Sequence, residues 1–127
     1  MDLVRKKIII INLKDLIATA SGKDTPEDVT DFRIRKEVLD RLVSLRNISR
    51  VIITHDLDEK AYMPQLKAVE FFVFVYCKTA ALTLRDVSCM MDRLPHNQRK
   101  REHILSLDPE AAELLEVESM TIEEFLS

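Results

Sequence analysis

Polar side chains that could do chemistry follow the ends of several apolar runs in this chain. These are residues 12–15, residues 54–58, Lys78, and residues 106–108. They include carboxylates, which can act as acids, bases or metal ligands, and hydroxyl and ammonium groups, which can bind an anion. Whether they can act together depends on the elements that position them.

Other kinds of site have less support. Gly22 is the single glycine, whereas the phosphate loops of P-loop and dinucleotide-binding proteins need several glycines for the close approach of backbone amides. His55 beside Asp56 could form a base with its orienting carboxylate, although such neighbours more often point to different sides. His96 and His103 lack the spacing of metal ligands.

Composition favours an ordinary globular protein. The chain has 127 residues, of which 46% are hydrophobic and 32% charged, and a net charge of -3. We therefore expect one domain over residues 1–127 without a sizeable cap, and no nucleic-acid partner is indicated. The longest apolar runs fall far below the roughly 20 residues that cross a bilayer, and no credible leader cleavage site follows the first run. These features predict a cytoplasmic protein with no membrane partner, and reduced core thiols at Cys77 and Cys89.

Continuous apolar runs predict the strands. Residues 5–13 indicate a strand buried on both faces, because the isoleucines do not alternate with polar residues. Further strands are predicted at 50–54, at 69–77 from its Phe, Val and Tyr content, at 103–107, and marginally at 116–120.

Helical periodicity fills the intervals between the strands. A polar loop is predicted at 18–31, followed by helices at 32–46, around Pro64, at about 80–94, at 109–115 and at 121–126. Alternating strands and helices predict an α/β fold, a three-layer α/β/α sandwich with a mainly parallel, Rossmann-like central sheet. Ligands of such sheets bind at the carboxyl ends of the strands, which is where the polar segments follow.

The end of the first strand resembles the haloacid dehalogenase (HAD) superfamily of phosphatases. Its first motif, Asp-x-Asp-Gly-Thr-Leu after an apolar strand, corresponds here to Asn-Leu-Lys-Asp-Leu-Ile at residues 12–17. The following stretch, residues 16–23, is similar to that of the capless branch that includes polynucleotide 3'-phosphatases.

Three further landmarks of the family occur in the same order. Thr54 matches the Thr or Ser that ends the second strand, and Lys78 matches the lysine near the start of a helix. The fourth motif is Gly-Asp-x-x-x-Asp-x-x-Ala-Ala; Asp108 matches its second Asp, while Ile104 replaces the first. The last segment, residues 116–126, also resembles the end of such domains.

The resemblance implies a site that has lost its catalytic acids. In the family, the first Asp attacks phosphorus and helps to hold Mg²⁺, and the second is the general acid and base. Asn12 has no carboxylate to form an acyl phosphate, and Lys14 would place an ammonium where the family keeps a carboxylate. We therefore expect no catalytic residue at Asn12, Lys14 or Asp15, and no metal or other cofactor. Lys14 could instead pair with Asp15, Asp56 or Asp108.

The sequence thus predicts an inactive HAD-like domain that binds a protein partner, as a regulatory or assembly module. Thr54 and Lys78, with Lys14, are candidates to bind phosphate or another anion in the cleft. The alternative is an atypical Mg²⁺-dependent phosphomonoesterase with displaced acids, in which Asp15 and Asp108 would hold the metal.

Two other interpretations stay open. One is a receiver-like domain phosphorylated at Asp56, although such domains keep that acid at the third strand. The other is an unrelated α/β fold. Residues 99–101 could meet a phosphate or an acidic partner. Residues 71–76 could form a dimerisation edge, but so apolar a strand is usually core.

Overall fold

The computed structural model of the chain describes residues 3–45, 47–74, 77–93 and 100–127. Its strands are β1 (Ile8–Asn12), β2 (Ile17–Thr19), β3 (Phe32–Ile34), β4 (Arg50–His55), β5 (Lys78–Thr83), β6 (Ile104–Ser106) and β7 (Glu118–Ser119). Its α-helices are α1 (Leu13–Leu16), α2 (Lys36–Ser44), α3 (Met63–Phe74), α4 (Leu84–Met91), α5 (Pro109–Leu115) and α6 (Ile122–Leu126).

A parallel sheet of five strands forms the centre of the fold. The strand order is β5-β4-β1-β6-β7, and β2 and β3 make a separate antiparallel hairpin. All four pairings in the five-stranded sheet are parallel. Helices cover both faces, so the predicted three-layer, Rossmann-like α/β/α architecture is confirmed.

Strand β1 is central because its four isoleucines serve two cores. Ile9 and Ile11 pack with side chains from α2, α3 and α6, whereas Ile8 and Ile10 pack against α4 and α5. All four are fully buried, and burial of each stabilises the fold by about 1.5–3 kcal/mol. A continuous apolar run therefore specifies a strand with helices on both sides.

Several predicted elements are confirmed. Strands β1, β4 and β6 lie within or beside the predicted ranges, β7 occupies the marginal fifth strand, and α5 and α6 occupy the predicted C-terminal helices. Asp108 and Thr121 cap these two helices through their side chains, as expected for N-cap residues.

The third predicted strand is wrong. Most of residues 69–77 belong to helix α3, and strand β5 begins only at Lys78. The inward-facing Leu66, Val69 and Val73 follow helical spacing, and Pro64 lies in the first turn, where it is tolerated. The aromatic side chains that favoured a strand are mostly exposed on the outside of this helix.

The helix predicted at 32–46 is too long at its start. Residues 32–34 form β3 and pair with β2, and α2 begins only at Lys36. The helix predicted over about 80–94 is also too long, because residues 80–83 belong to β5; Leu94 lies outside the described residues.

Both cysteines are free thiols, as predicted, but neither is fully buried in the core. Cys77 is half-buried and Cys89 is exposed on α4. Within the described ranges, no helix is long and apolar enough to span a membrane.

Candidate functional site

Three strands end together at the carboxyl edge of the sheet. Asn12 at the end of β1 is in register with Thr54 of β4. The backbone N–H of Leu107 donates to the carbonyl of Ile10 at 2.7 Å, which brings the residues that follow β6 to the same place. The edge therefore unites Asn12, Thr54 and Asp108, as the sequence predicted.

Asp108 is held in place by its local structure. One carboxylate oxygen, Oδ1, accepts hydrogen bonds from the backbone N–H groups of Glu110 (3.0 Å) and Ala111 (3.4 Å), and so caps α5. The Ser106 hydroxyl donates to the Asp108 carbonyl at 2.7 Å and accepts from its N–H at 3.2 Å. This buried carboxylate is consequently fixed in orientation.

The second carboxylate oxygen of Asp108 faces two side-chain donors. The Thr54 hydroxyl donates to Oδ2, and the Asn12 amide nitrogen donates to the same atom at 3.4 Å. The amide oxygen of Asn12 accepts from the N–H of Lys14 at 3.0 Å, which caps the short helix α1. Four donors therefore surround the Asp108 carboxylate, as a buried charge requires.

This arrangement does not fit a Mg²⁺ ion. Mg²⁺ prefers anionic oxygen ligands, but Asn12 directs an N–H group at the oxygen of Asp108 that would otherwise be open to a metal. Within the described ranges, no three His, Cys, Asp or Glu residues lie close enough to hold a metal ion together.

Asp15 lies at the rim of this site. Burial raises the pKa of its carboxyl group, Glu123 and Asp108 raise it further, and the Arg35 guanidinium opposes them. Arg35 also donates to the Asp15 carbonyl at 3.2 Å. Sequence reasoning missed Arg35, because it follows a hairpin strand that was assigned to a helix.

Lys14 does not take the place of a metal ion. Its side chain is exposed, and no ion pair of Lys14 occurs among residues 3–45, 47–74, 77–93 and 100–127, where Asp15, Asp56 and Asp108 all lie. The predicted pairing with these acids is therefore wrong. An ammonium that stays in water avoids a desolvation penalty.

A shallow cleft of about 360 Å³ lies beside the site. Its lining includes three acids, Asp15, Glu123 and Glu124, together with Pro109 and the start of α6. Such a lining repels anions and attracts cations at neutral pH.

Lys78 lies at the opposite end of the sheet from Thr54. It is the first residue of β5 and is in register with Arg50, whereas Leu82 is in register with Thr54. Four residues of strand correspond to about 13 Å. Lys78 is thus neither near the start of a helix nor in one cleft with Thr54, and that expectation is corrected.

His55 is a further titratable group at the carboxyl edge. It is buried, its Nδ1 accepts from the N–H of Leu57 at 3.2 Å, and its Nε2 lies 3.8 Å from Oε1 of Glu59. Nε2 has no hydrogen-bond partner among the residues described. Burial lowers the pKa of His55, while Glu59, Asp56 and other acids raise it less. The carboxylate close to the ring is thus that of Glu59, and Asp56 is exposed.

Comparisons with known proteins leave the family open. No protein-family model matches the chain, and searches of curated proteins and of solved structures found no significant match. The function is therefore inferred from the site itself.

Proposed function

We propose that the chain is a catalytically inactive HAD-like domain that acts by binding, as a regulatory or assembly module. The observation that carries this proposal is the contact of Asn12 and Thr54 with one oxygen of Asp108. The HAD-like assignment is supported by the placement of three motif positions on one edge, although Lys78 departs from it.

The absence of a nucleophile at residue 12 supports the loss of activity. Transfer of a phosphoryl group to the protein requires a carboxylate or another nucleophile at the reacting position. The amide of Asn12 is a poor nucleophile, and both of its polar atoms already make hydrogen bonds. Exchange of the family's Asp for Asn thus replaces a reacting group by a structural one.

The donors around Asp108 also make metal binding unnecessary. In a phosphatase, adjacent carboxylates repel one another until Mg²⁺ binds between them. Here the neighbouring side chains are hydrogen-bond donors, so the carboxylate is satisfied by the protein alone. The site is stable as a closed polar cluster and needs no ion.

A protein ligand fits the site better than free phosphate. The Thr54 hydroxyl is engaged with Asp108, Lys78 lies at the other end of β5, and the neighbouring cleft is acidic. We infer that this cleft accepts a basic side chain of a protein partner.

The proposal is tested by turnover of a generic aryl phosphate in the presence of Mg²⁺. We expect no turnover by the wild-type protein. The alternative, a phosphomonoesterase that uses Asp15 and Asp108, expects turnover that Asp15→Asn or Asp108→Asn abolishes and that Glu113→Gln, an exposed acid on α5, retains. That pattern would overturn the proposal, and equal activity in all four proteins would rule out Asp15 and Asp108 as the catalytic acids of the alternative.

A further inference from the structure

A groove of about 610 Å³ lies beside β5, the edge strand of the five-stranded sheet. Its floor includes Ala80 and Leu82 of β5, and its wall is formed by α4 and the turn that follows this helix. The wall residues recur at helical spacing and therefore share one face: Asp86, Cys89, Met90 and Arg93. A groove of this size can hold a small ligand.

The two ends of the groove carry opposite charges. Two arginines line the end at the amino edge of the sheet, because Arg50 begins β4 and Arg93 follows the last turn of α4. Two acids line the end at the carboxyl edge, because Glu59 follows β4 and Asp86 lies in the first turn of α4. A ligand with a positive and a negative end is therefore complementary to the groove.

Most of these charged groups are not engaged within the protein. Among residues 3–45, 47–74, 77–93 and 100–127, neither Arg50 nor Arg93 forms an ion pair. The Glu59 carboxylate lies 3.8 Å from Nε2 of His55, which is beyond hydrogen-bond distance. Asp86 accepts a hydrogen bond from the Thr83 hydroxyl at 3.1 Å through one oxygen, Oδ2. Both ends can therefore bind a ligand without breaking an internal ion pair.

The chemistry of each end selects a ligand group. Guanidinium groups bind carboxylates through paired N–H donors, so the arginine end favours a carboxylate. The acidic end favours an ammonium group. Between them, Leu82 and Met90 offer apolar contact, which suits small apolar side chains.

The distance between the ends selects the length of the ligand. Asp86 and Arg93 are seven residues apart, which corresponds to about 10 Å along a helix. An extended chain spans roughly 3.3–3.6 Å per residue, so three residues cover the same distance. In a single amino acid, the amine and the carboxylate are attached to one carbon and cannot reach both ends.

We propose that this groove binds a free short peptide of about three residues in an extended conformation. Its amino terminus lies at Glu59 and Asp86, and its carboxyl terminus lies at Arg50 and Arg93. This inference goes beyond the proposed function, because it involves no residue of the Asp108 cluster and does not depend on the HAD-like assignment.

NMR titration of the ¹⁵N-labelled protein with trialanine tests the site. We expect saturable shifts of the backbone amides at residues 80–82 and 86–93, with a dissociation constant in the submillimolar range because exposed ion pairs are individually weak. N-acetyl-trialanine amide has the same length without the charges and should bind roughly tenfold more weakly or worse. Absence of shifts at these amides at millimolar trialanine, or equal binding of the capped peptide, overturns the proposal.

Charge-neutral variants then test the two ends separately. Arg93→Gln and Glu59→Gln should each raise the dissociation constant of trialanine by roughly fivefold, since each loses one ion pair with the ligand. Arg33→Gln is the matched control, because it removes an exposed arginine of β3 that does not line the groove, and it should bind like the wild type. The amide spectra of the free variants report whether each is folded. If Arg93→Gln and Glu59→Gln bind as tightly as the wild type, or if Arg33→Gln weakens binding equally, the ends of the groove do not recognise the peptide termini and the proposal fails.

Discussion

The side chain at residue 12 decides whether the contact with Asp108 is attractive or repulsive. A carboxylate at this position would repel Asp108, whereas the amide donates a hydrogen bond to it. Under the proposed HAD-like assignment, Asn12 supplies no nucleophile, and side-chain donors of the protein satisfy Asp108.

The residues of this cluster were predictable from the sequence, but their contacts were not. Asn12, Thr54 and Asp108 each follow an apolar run, and parallel strands bring such positions together. Which donor meets which oxygen depends on side-chain orientation, which sequence spacing does not determine. Lys78 was misplaced for a different reason, because its location depends on where α3 ends and β5 begins.

We expect His55 to make the stability of the protein depend on pH. Burial holds the pKa of the folded-state imidazole below its usual value of about 6.5. Since the unfolded state then binds a proton more readily, this contribution to stability is present above pH 6.5 and is lost as pH falls toward the folded-state pKa. We expect the urea concentration at the unfolding midpoint to decrease as the pH is lowered from 7.5 to about 5.5.

The variant His55→Asn isolates this effect. Its side-chain oxygen can still accept from the N–H of Leu57, as Nδ1 does in the wild type, but it does not titrate. The unfolding midpoint of the variant should vary less over this pH range than that of the wild type. Equal pH dependence in both proteins would show that His55 is not the responsible group.

Among the elements, α3 shows where sequence reasoning failed. Its aromatic and β-branched residues favour a strand by intrinsic preference, but packing of Leu66, Val69 and Val73 on the sheet favours a helix. A helix with apolar residues on every side gives a weak periodic signal, so the pattern could not separate the two structures. Strands β1, β4 and β6 were predicted well because their apolar runs are short and buried on both faces.

At the amino edge of the sheet, Lys6 connects elements that are distant in the chain. Lys6 is only 2% exposed. Its ammonium group donates to the carbonyls of Glu102 (2.8 Å) and Ile104 (3.5 Å) and pairs with Glu118 at 3.0 Å. It thus ties the start of β1 to β6 and β7.

Replacement of this lysine should loosen the β6–β7 side of the sheet. Lys6→Met leaves the two carbonyls without their donor, and we expect the free energy of unfolding to fall by about 1–3 kcal/mol. Lys7→Met is the matched control, because Lys7 is less buried and makes no side-chain hydrogen bond or ion pair in the described part of the chain. Chemical denaturation measures both. Equal stability of the two variants would contradict the structural role of Lys6.

For the whole molecule, the architecture was more predictable than its surfaces. Alternation of apolar runs and helical patterns specifies a parallel sheet with helices on both faces, and the five-stranded sheet has that form. The short hairpin of β2 and β3 was missed, since three-residue strands carry too few residues for a pattern. The exposed face of α3 could not be predicted, because the sequence pattern favours a strand over most of this segment.

The proposed function requires that hydrogen-bond donors, rather than a metal ion, satisfy Asp108 at the carboxyl edge of the sheet. In Asn12→Asp, a second carboxylate faces Asp108 without a donor between them. We expect the free energy of unfolding at neutral pH to fall by roughly 2–4 kcal/mol, from charge repulsion and the lost hydrogen bond. Mg²⁺ should restore part of this loss, because the new pair of carboxylates can share the ion.

The most direct measurement is the unfolding temperature as a function of Mg²⁺ concentration at constant ionic strength. It compares the wild type, Asn12→Asp, and Asn47→Asp, a control that adds a carboxylate near the amino end of β4. We expect Mg²⁺ to raise the unfolding temperature of Asn12→Asp alone. A wild-type protein that Mg²⁺ stabilises as strongly, or an Asn12→Asp variant that is as stable as the wild type and insensitive to Mg²⁺, would overturn the proposed role of Asn12.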